Sequence, residues 1–553
     1  MFYLCSNKIV GTCFIGFVAL SLMSCGSESP RVRRSFDCGL NSTFSSCSAD
    51  KASGDLVWDL SDAKEGEEYI IVLLNQSEFK EKSYFQRSEF LISSAFSSQS
   101  IPADEERLKE KILEKLPKGN EADNLDADEW KVSVPTSIRF QLNDDSSFKN
   151  NSKDENIEAS TQVTGVSQKY FYLKNSDDPS ASGEKTEFSE IQSLKGQYTA
   201  FLDKSVDPSK ASEFRSKLGC LDKAVSETID WLGRPVQIGD EPEIALLVSP
   251  IQSDSGMAIG SFNFLDLFES YQGRLMPDAN FRESIRLSPD ISDWKLCATT
   301  SHELQHLISY LYKVILQIPK SERGEFNSVR KYQLKPEQAS LDEGFSHNIE
   351  ELVQGASYVN SHMTRFLKSP SETSLSLEAA GGIPLHNVKT RGLATLLIQH
   401  ALARAGGTLD KENPLTRSLY KKWISSPETG LDNIARTFGQ NRNQFLEQFF
   451  KSLSSTLFDS GRQDSLIPPQ HTTEEKVMGL KFFDRTEEAT EIKAGNIHPL
   501  MIDLPLVRRS NTMLLRPEAF AMIRLIVPHD KKDATLVFKS KDNPYSIFIT
   551  RVR

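Results

Sequence analysis

The sequence predicts an α+β protein in which a central region of mixed strands passes into a mainly helical stretch, with β-rich regions flanking it on both sides. Three observations predict this. Short runs with strand-like alternation occupy the first third, among them Glu68 to Leu74, Tyr84 to Ile92 and Ser137 to Leu142. Long stretches with helical spacing fill the middle: Ser292 to Gln317, Ser340 to Gln354, Asn387 to Ala405, Leu415 to Ile424 and Asn441 to Leu457. Beyond Gln470 strand-like alternation returns, ending in Tyr545 to Val552.

The chain of 553 residues is too long for one core, so two to four domains are expected. We divide it into a leader over 1–24, a tether over 25–54, a β-rich region with a charged linker over 55–162, a strand-and-helix domain over 163–470 and a β-rich region over 471–553. Within the second β-rich region's counterpart at the N-terminus, Glu105 to Leu116 reads as a solvated helix. In the domain itself, Tyr170 to Leu173, Gly196 to Leu202 and Glu243 to Val248 read as strands, and Ala211 to Leu232 has helical spacing. Gly406-Gly407 is a helix stop. A net charge of −11 argues against a general nucleic-acid binder and leaves the substrate open.

The leader carries Lys8 and then an apolar run from Ile9 to Met23, shorter than a membrane span of about 20 residues. It ends in Leu22-Met23-Ser24-Cys25, which resembles a bacterial lipobox, so Cys25 is the expected lipidation site. The implied location is the bacterial cell envelope, periplasmic or at the cell surface, with the membrane as a partner through the N-terminal lipid. An ordinary secretory signal or a short anchor is the alternative. Of seven cysteines, four lie past Cys25: Cys38, Cys47, Cys220 and Cys297. In an oxidising compartment they permit two disulfides in three possible pairings, among which the sequence does not choose; Cys38 with Cys47 and Cys220 with Cys297 is the guess, and one or more staying reduced is the alternative. No Cys-x-x-Cys pair occurs, which disfavours a cysteine zinc site.

The residues that can do chemistry lie late. All nine histidines stand at or after position 302. His302-Glu303-Leu304-Gln305-His306 has the spacing H-E-x-x-H, which places both imidazoles on one helical face, a turn apart. They can reach a single Zn2+ at about 2.0–2.1 Å, while Glu303 beside them can accept a proton from an attacking water. Two satisfied histidines on an ordinary helix are the alternative. Leu304, Leu307, Ile308, Leu311 and Ile315 would bury that helix. A catalytic zinc needs a third protein ligand and an open position. Glu343, in Leu341-Asp342-Glu343-Gly344-Phe345-Ser346-His347, is the candidate, with His347 next in line. A solvated acid at a helix N-terminus is the plainer reading of Glu343, and more so of Asp342. Metal-bound histidines hand their second nitrogen to an acceptor, and His347 and Glu350 are candidates for the supporting layer. An outward-facing charge is the alternative for Glu350 and Glu351. Tyr310, Tyr312, Tyr358, His362 and His386 are candidates for an oxyanion donor, with packing the expected role of the first two. Ala379 to Pro384 reads as a connecting loop.

These segments together resemble the hyicolysin family of gluzincin metallopeptidases, over about residues 165 to 460. The resemblance runs through Lys169 to Leu173, Ile244 to Pro250, Gly260-Ser261-Phe262-Asn263, the H-E-x-x-H helix, Leu341 to Ser346, Gly392 to Ala405, Thr429 to Ile434 and Phe445 to Leu453. It implies a zincin-like metallopeptidase domain, one catalytic Zn2+ held by His302, His306 and Glu343, and Glu303 as the base. It implies a protein or peptide as substrate, cut as by an endopeptidase. Asp342 stands where the family has Asn, and His347 where such enzymes often have an acid. A surface lipoprotein that keeps the fold as a binding or adhesion module is the competing expectation. An intact Glu303 beside both histidines favours hydrolysis.

Overall fold

A computed structural model of the whole chain describes short runs within 34–95, residues 169–173, most of 183–354, isolated positions between 362 and 375, residues 388–459 apart from 408–411, and runs within 500–551. The expected leader with Cys25, the strand at Ser137 to Leu142, the helix at Glu105 to Leu116 and the loop at Ala379 to Pro384 lie outside the described residues, as do Cys38, Tyr358 and His386.

The fold is mixed α+β. Its N-terminal strands are β1 (Arg34–Ser35), β2 (Ser46–Ser48), β3 (Asp55–Asp59), β4 (Glu68–Asn75) and β5 (Ser88–Ala95). The central sheet uses β6 (Lys169–Leu173), β7 (Glu184–Leu194), β8 (Tyr198–Asp203), β9 (Ile244–Val248), β10 (Gly260–Ser261) and β11 (Ser284–Leu287). Its strand order is β10-β11-β9-β8-β7-β6. The pairs β11–β9 and β9–β8 are parallel, whereas β10–β11, β8–β7 and β7–β6 are antiparallel. The parallel centre explains why Ile244 to Val248 is uninterrupted apolar sequence: every residue of β9 is buried. Short edge strand β10 closes one side of the sheet.

Among the described residues the longer helices are α1 (Pro208–Ser216), α2 (Leu221–Leu232), α3 (Asp293–Lys313), α4 (Ala339–Gln354), α5 (Val388–Arg404), α6 (Pro414–Ser425), α7 (Gly430–Arg436) and α8 (Arg442–Asp459). Where the sequence suggests one helix over Ala211 to Leu232, a 3-10 turn at Leu218–Cys220 divides it in two. α1 and α6 start alike: Asp207 or Asn413 accepts the free N–H groups of the first turn, and a proline follows at the first helical position. α5 stops before Gly406, whose φ of +87° suits glycine. Cys220 and Cys297 form a disulfide, as expected, with Cα atoms 5.8 Å apart. It ties the start of α2 to α3, one and a half turns before His302.

α3 lies between two cores. Leu304, Leu307, Leu311 and Ile315 pack into the apolar layer under the central sheet. Ile308 instead joins a helical core with Leu341, Phe345 and Ile349 of α4, Leu393 and Leu397 of α5, and Trp423 of α6. Each such leucine withdrawn from water contributes roughly 1.5–3 kcal/mol, so α3 is fixed on both flanks. A buried ion pair fixes its end: Lys313 Nζ lies 3.0 Å from Glu337 Oε2 and also donates to the carbonyls of Trp423, Ser426 and Glu428. Glu337 sits just ahead of α4, so the same pair sets where α4 begins.

The two flanking β-rich regions, separate in sequence, interleave in space. The C-terminal strands are β12 (Leu500–Asp503), β13 (Asn511–Leu515), β14 (Phe520–Ile526), β15 (Thr535–Ser540) and β16 (Tyr545–Arg551). One five-stranded sheet has the order β1-β3-β15-β5-β13 and the other β12-β14-β4-β16-β2. Strands β1 and β2 fall in the stretch expected to be a tether. Val72, Leu74, Phe520 and Phe548 of this unit enter the helical core.

Candidate metal centre

α3 and α4 present their polar residues to each other in a place with almost no access to water. His302, Glu303, His306, Glu343, His347 and Glu350 are all 3 % exposed or less. His302 and His306 project from one face of α3, with ring centroids 4.7 Å apart. From α4, Glu343 faces both: its Oε2 is 3.4 Å from His302 Nε2 and its Oε1 is 3.7 Å from His306 Nε2. His347, one turn on, brings its Nε2 to 4.0 Å from Glu343 Oε2, and its ring is 4.9 Å from that of His302. His302, Glu343 and His347 form a buried group that could hold a metal ion. The tightest trio thus contains His347, where the expected set has His306; His306 borders the same carboxylate.

Each imidazole is oriented by a carboxylate behind it. His302 Nδ1 pairs with Glu350 Oε1, and His306 Nδ1 lies 2.7 Å from Asp342 Oδ2. His347 Nδ1 is 3.4 Å from Glu350 Oε2. A carboxylate at Nδ1 holds the proton there and turns Nε2 forward as a lone-pair donor. Asp342 is therefore no bland helix-end acid. Its second oxygen accepts from Gln305 Nε2 at 3.2 Å, and Ser346 caps the assembly by donating to Gln305 Oε1. Glu350 and Glu351 do not face outward either. Glu350 serves two histidines, and Glu351 accepts from Gln399 at 3.2 Å. The residue four beyond Glu343 is a histidine, and the carboxylate seven beyond it supports His302.

His302 Nε2, His347 Nε2 and the oxygens of Glu343 and Glu303 are buried and make no hydrogen bond among the described residues, Glu343 Oε2 being ion-paired with Arg391 Nη1. A buried polar atom without a partner is costly, on the order of 1–3 kcal/mol each and more when charged. A metal ion among His302, Glu343 and His347, whose ligand atoms lie within 4.8 Å of one another, would satisfy those three side chains, and the nitrogen-and-carboxylate set suits zinc. The donor set therefore fits a metal.

The charges agree. Burial disfavours a charged His302, yet Glu350 and Glu343 outweigh it and push its pKa up to about 10. Positive charge at this Nε2 is what the pocket demands. Burial raises Glu343, but Arg391 and His302 more than reverse this and hold it well below the usual range. Glu350 is likewise held low, against burial, by His347 and His302. Burial lowers His347, with Glu350 opposing. Glu303 is pushed up to about 7, chiefly by burial, with His302 and His306 opposing.

Close approach matters at three glycines. A Cβ on Gly260, in β10, would stand 2.8 Å from Glu303 Oε1, so this edge strand passes directly over Glu303. Gly344 is needed against α5: a Cβ there would meet Ala394 Cβ at 2.7 Å. Gly392 lets α5 touch the backbone at His362 and Met363. Among the oxyanion candidates, Tyr310 stacks on Phe264 in the sheet-side core and Tyr312 packs at the edge of the helical core, away from this chemistry. His362 stacks on His347 at 4.8 Å.

Arg391 is the site residue that the sequence reading misses. Its Nη1 lies 3.1 Å from Glu343 Oε2. The signal was present: a cation next to glycine, just ahead of the mostly apolar run Leu393 to Ile398 in the helix Val388 to Arg404, must face a charge if that face of the helix is buried. No family model matches this chain, and no curated protein matches it. Among the described residues no helix is long and apolar enough to cross a membrane.

Proposed function

We propose that this protein is a zinc-dependent metallopeptidase with a zincin-like domain, exported and anchored through lipid on Cys25. The observation that carries the reading is the buried group of His302, Glu343 and His347, whose ligand atoms lie within 4.8 Å of one another, together with buried Glu303, whose oxygens accept no hydrogen bond among the described residues. A structural zinc site is closed by its ligands and has no use for a free carboxylate beside them, whereas hydrolysis requires one.

His302, His306 and Glu343 hold one Zn2+, and His347 is the alternative third donor beside Glu343. Zinc, when bound, supplies a Lewis acid for the peptide carbonyl and an acidified water. Glu303 does the proton work. Its carboxylate receives the proton of the attacking water and returns it to the leaving nitrogen. Burial, which raises the Glu303 pKa to about 7, makes it a stronger base than an exposed glutamate and excludes bulk water. Glu350 and Asp342 keep the imidazoles in the tautomer that offers Nε2.

The test is Glu303→Gln in the chain from residue 26 onward, assayed on an unfolded protein substrate alongside elemental analysis. We expect one zinc per chain in both proteins and at least a hundredfold lower turnover in the variant, the usual weight of a general base. Equal turnover removes Glu303 from the mechanism. Full zinc with no hydrolysis of peptides by the parent protein favours a binding module.

A further inference from the structure

Arg391 stands on the first turn of α5 and is 5 % exposed. Only Nη1 is turned to Glu343. Nε and Nη2 are buried and have no hydrogen-bond partner among the described residues. In a guanidinium these two nitrogens share one edge, and their N–H bonds run side by side. That edge is a fork matched to the two oxygens of a carboxylate. An arginine that only steadied Glu343 would need the Nη1 side alone, and its other edge would be capped by a carbonyl or open to water.

The neighbouring acids do not fill the fork. Asp342 is taken by His306 and Gln305, and Glu350 by His302 and His347. Glu303 is close enough to feel the Arg391 charge, but neither of its oxygens accepts a hydrogen bond. A permanently charged, buried, half-satisfied guanidinium beside a metal ligand is a receptor for an anion that arrives with the substrate.

We propose that the Nε/Nη2 edge of Arg391 binds a carboxylate of the substrate and so sets which peptides are cut; this rests on the peptidase reading above. Arg391 touches Glu343, so a carboxylate in its fork lies only one or two residues from the bond at the metal, at about 3.3–3.6 Å per residue. In a peptide such a group is either the C-terminal carboxylate or the side chain of an adjacent Asp or Glu. The first makes the enzyme a C-terminal trimmer and the second an endopeptidase selective for acidic residues.

The experiment measures binding as well as turnover. Zinc-loaded Glu303→Gln protein, which holds ligands without consuming them, is titrated calorimetrically with an N-acetylated dipeptide acid and with its C-terminal amide. A second pair carries an internal Glu or Gln ahead of an amidated end. At least tenfold tighter binding of one acid over its neutral partner is expected, and which pair shows it identifies the source. The preference should vanish in Glu303→Gln/Arg391→Lys, which keeps the charge and loses the fork, with zinc still at one per chain. Equal affinity for acid and neutral forms in both pairs overturns the proposal, and this needs no arginine variant to fold. It is also overturned if Arg391→Lys keeps the preference, or loses zinc along with it, since Arg391 would then act only as the partner of Glu343. A parent protein that binds no zinc refutes the peptidase reading instead, and elemental analysis of the same samples tells the two failures apart.

Discussion

At the scale of single residues, the arrangement depends on carboxylates that stand behind the imidazoles. Glu350 holds His302 at Nδ1 and Asp342 holds His306. Glu350→Gln should therefore keep the fold and weaken zinc binding by about 10–100-fold, the usual effect of losing such a partner. Competition with a chromogenic chelator measures this, and unchanged affinity would show that the Glu350 contact is incidental. The residues bearing this chemistry were legible in unequal degree. His302, Glu303 and His306 announce themselves because a four-residue spacing has one geometric meaning on a helix. Glu343 follows from the need for a third donor. Asp342 reads as an ordinary helix charge and Glu350 as either an imidazole's partner or an outward charge, because only the packing of α4 against α3 decides whether an acid faces water or an imidazole. Arg391 lies 48 residues beyond Glu343, and no periodicity connects the two.

At the scale of elements, the site depends on how closely β10 and α5 approach it. Gly260→Ala places a methyl group 2.8 Å from Glu303 Oε1 and leaves the ligands alone. We expect turnover to fall at least tenfold with zinc content unchanged; full activity would mean that β10 moves freely over Glu303. α5 carries one buried histidine, and it lies outside the site. His400 packs against the rings of Phe445 and Phe449 of α8, has no partner at either ring nitrogen among the described residues, and has its pKa pushed down to about 3, by burial first and then by Arg404. The unfolded chain takes up a proton at His400 below about pH 6.5, and the folded chain does not. Stability must therefore fall as pH drops from about 6.5 toward 3. In His400→Leu the melting temperature should lose less between pH 7 and pH 4 than in the parent, and parallel curves would refute this. The helices that carry these residues were read from sequence within a few positions, because apolar spacing and proline or glycine punctuation mark them. β7 was missed: its alternation is weak, since most of Glu184–Leu194 is only partly buried.

At the scale of the molecule, the strands of both flanking regions share two sheets that a walk along the sequence keeps apart. Local alternation reports which residues are strand and which face is apolar, but carries no information on a partner more than 400 residues away, as in the pairing of β4 with β14 and β16. The mixed α+β character was legible; the disulfide that braces α2 against α3 is one of three pairings that the cysteine count allows, and only the fold selects it. What the whole fold achieves for function is to hold α3 between a sheet and a helical core, so that α4 meets it with a full set of oriented donors. The most direct test of that claim is an anomalous difference map recorded at the zinc absorption edge from crystals of zinc-loaded protein. The account predicts a single strong peak between α3 and α4, about 2.0–2.1 Å from His302 Nε2 and within bonding distance of Glu343. A map with no peak there, or with zinc held only by surface residues elsewhere, would contradict it.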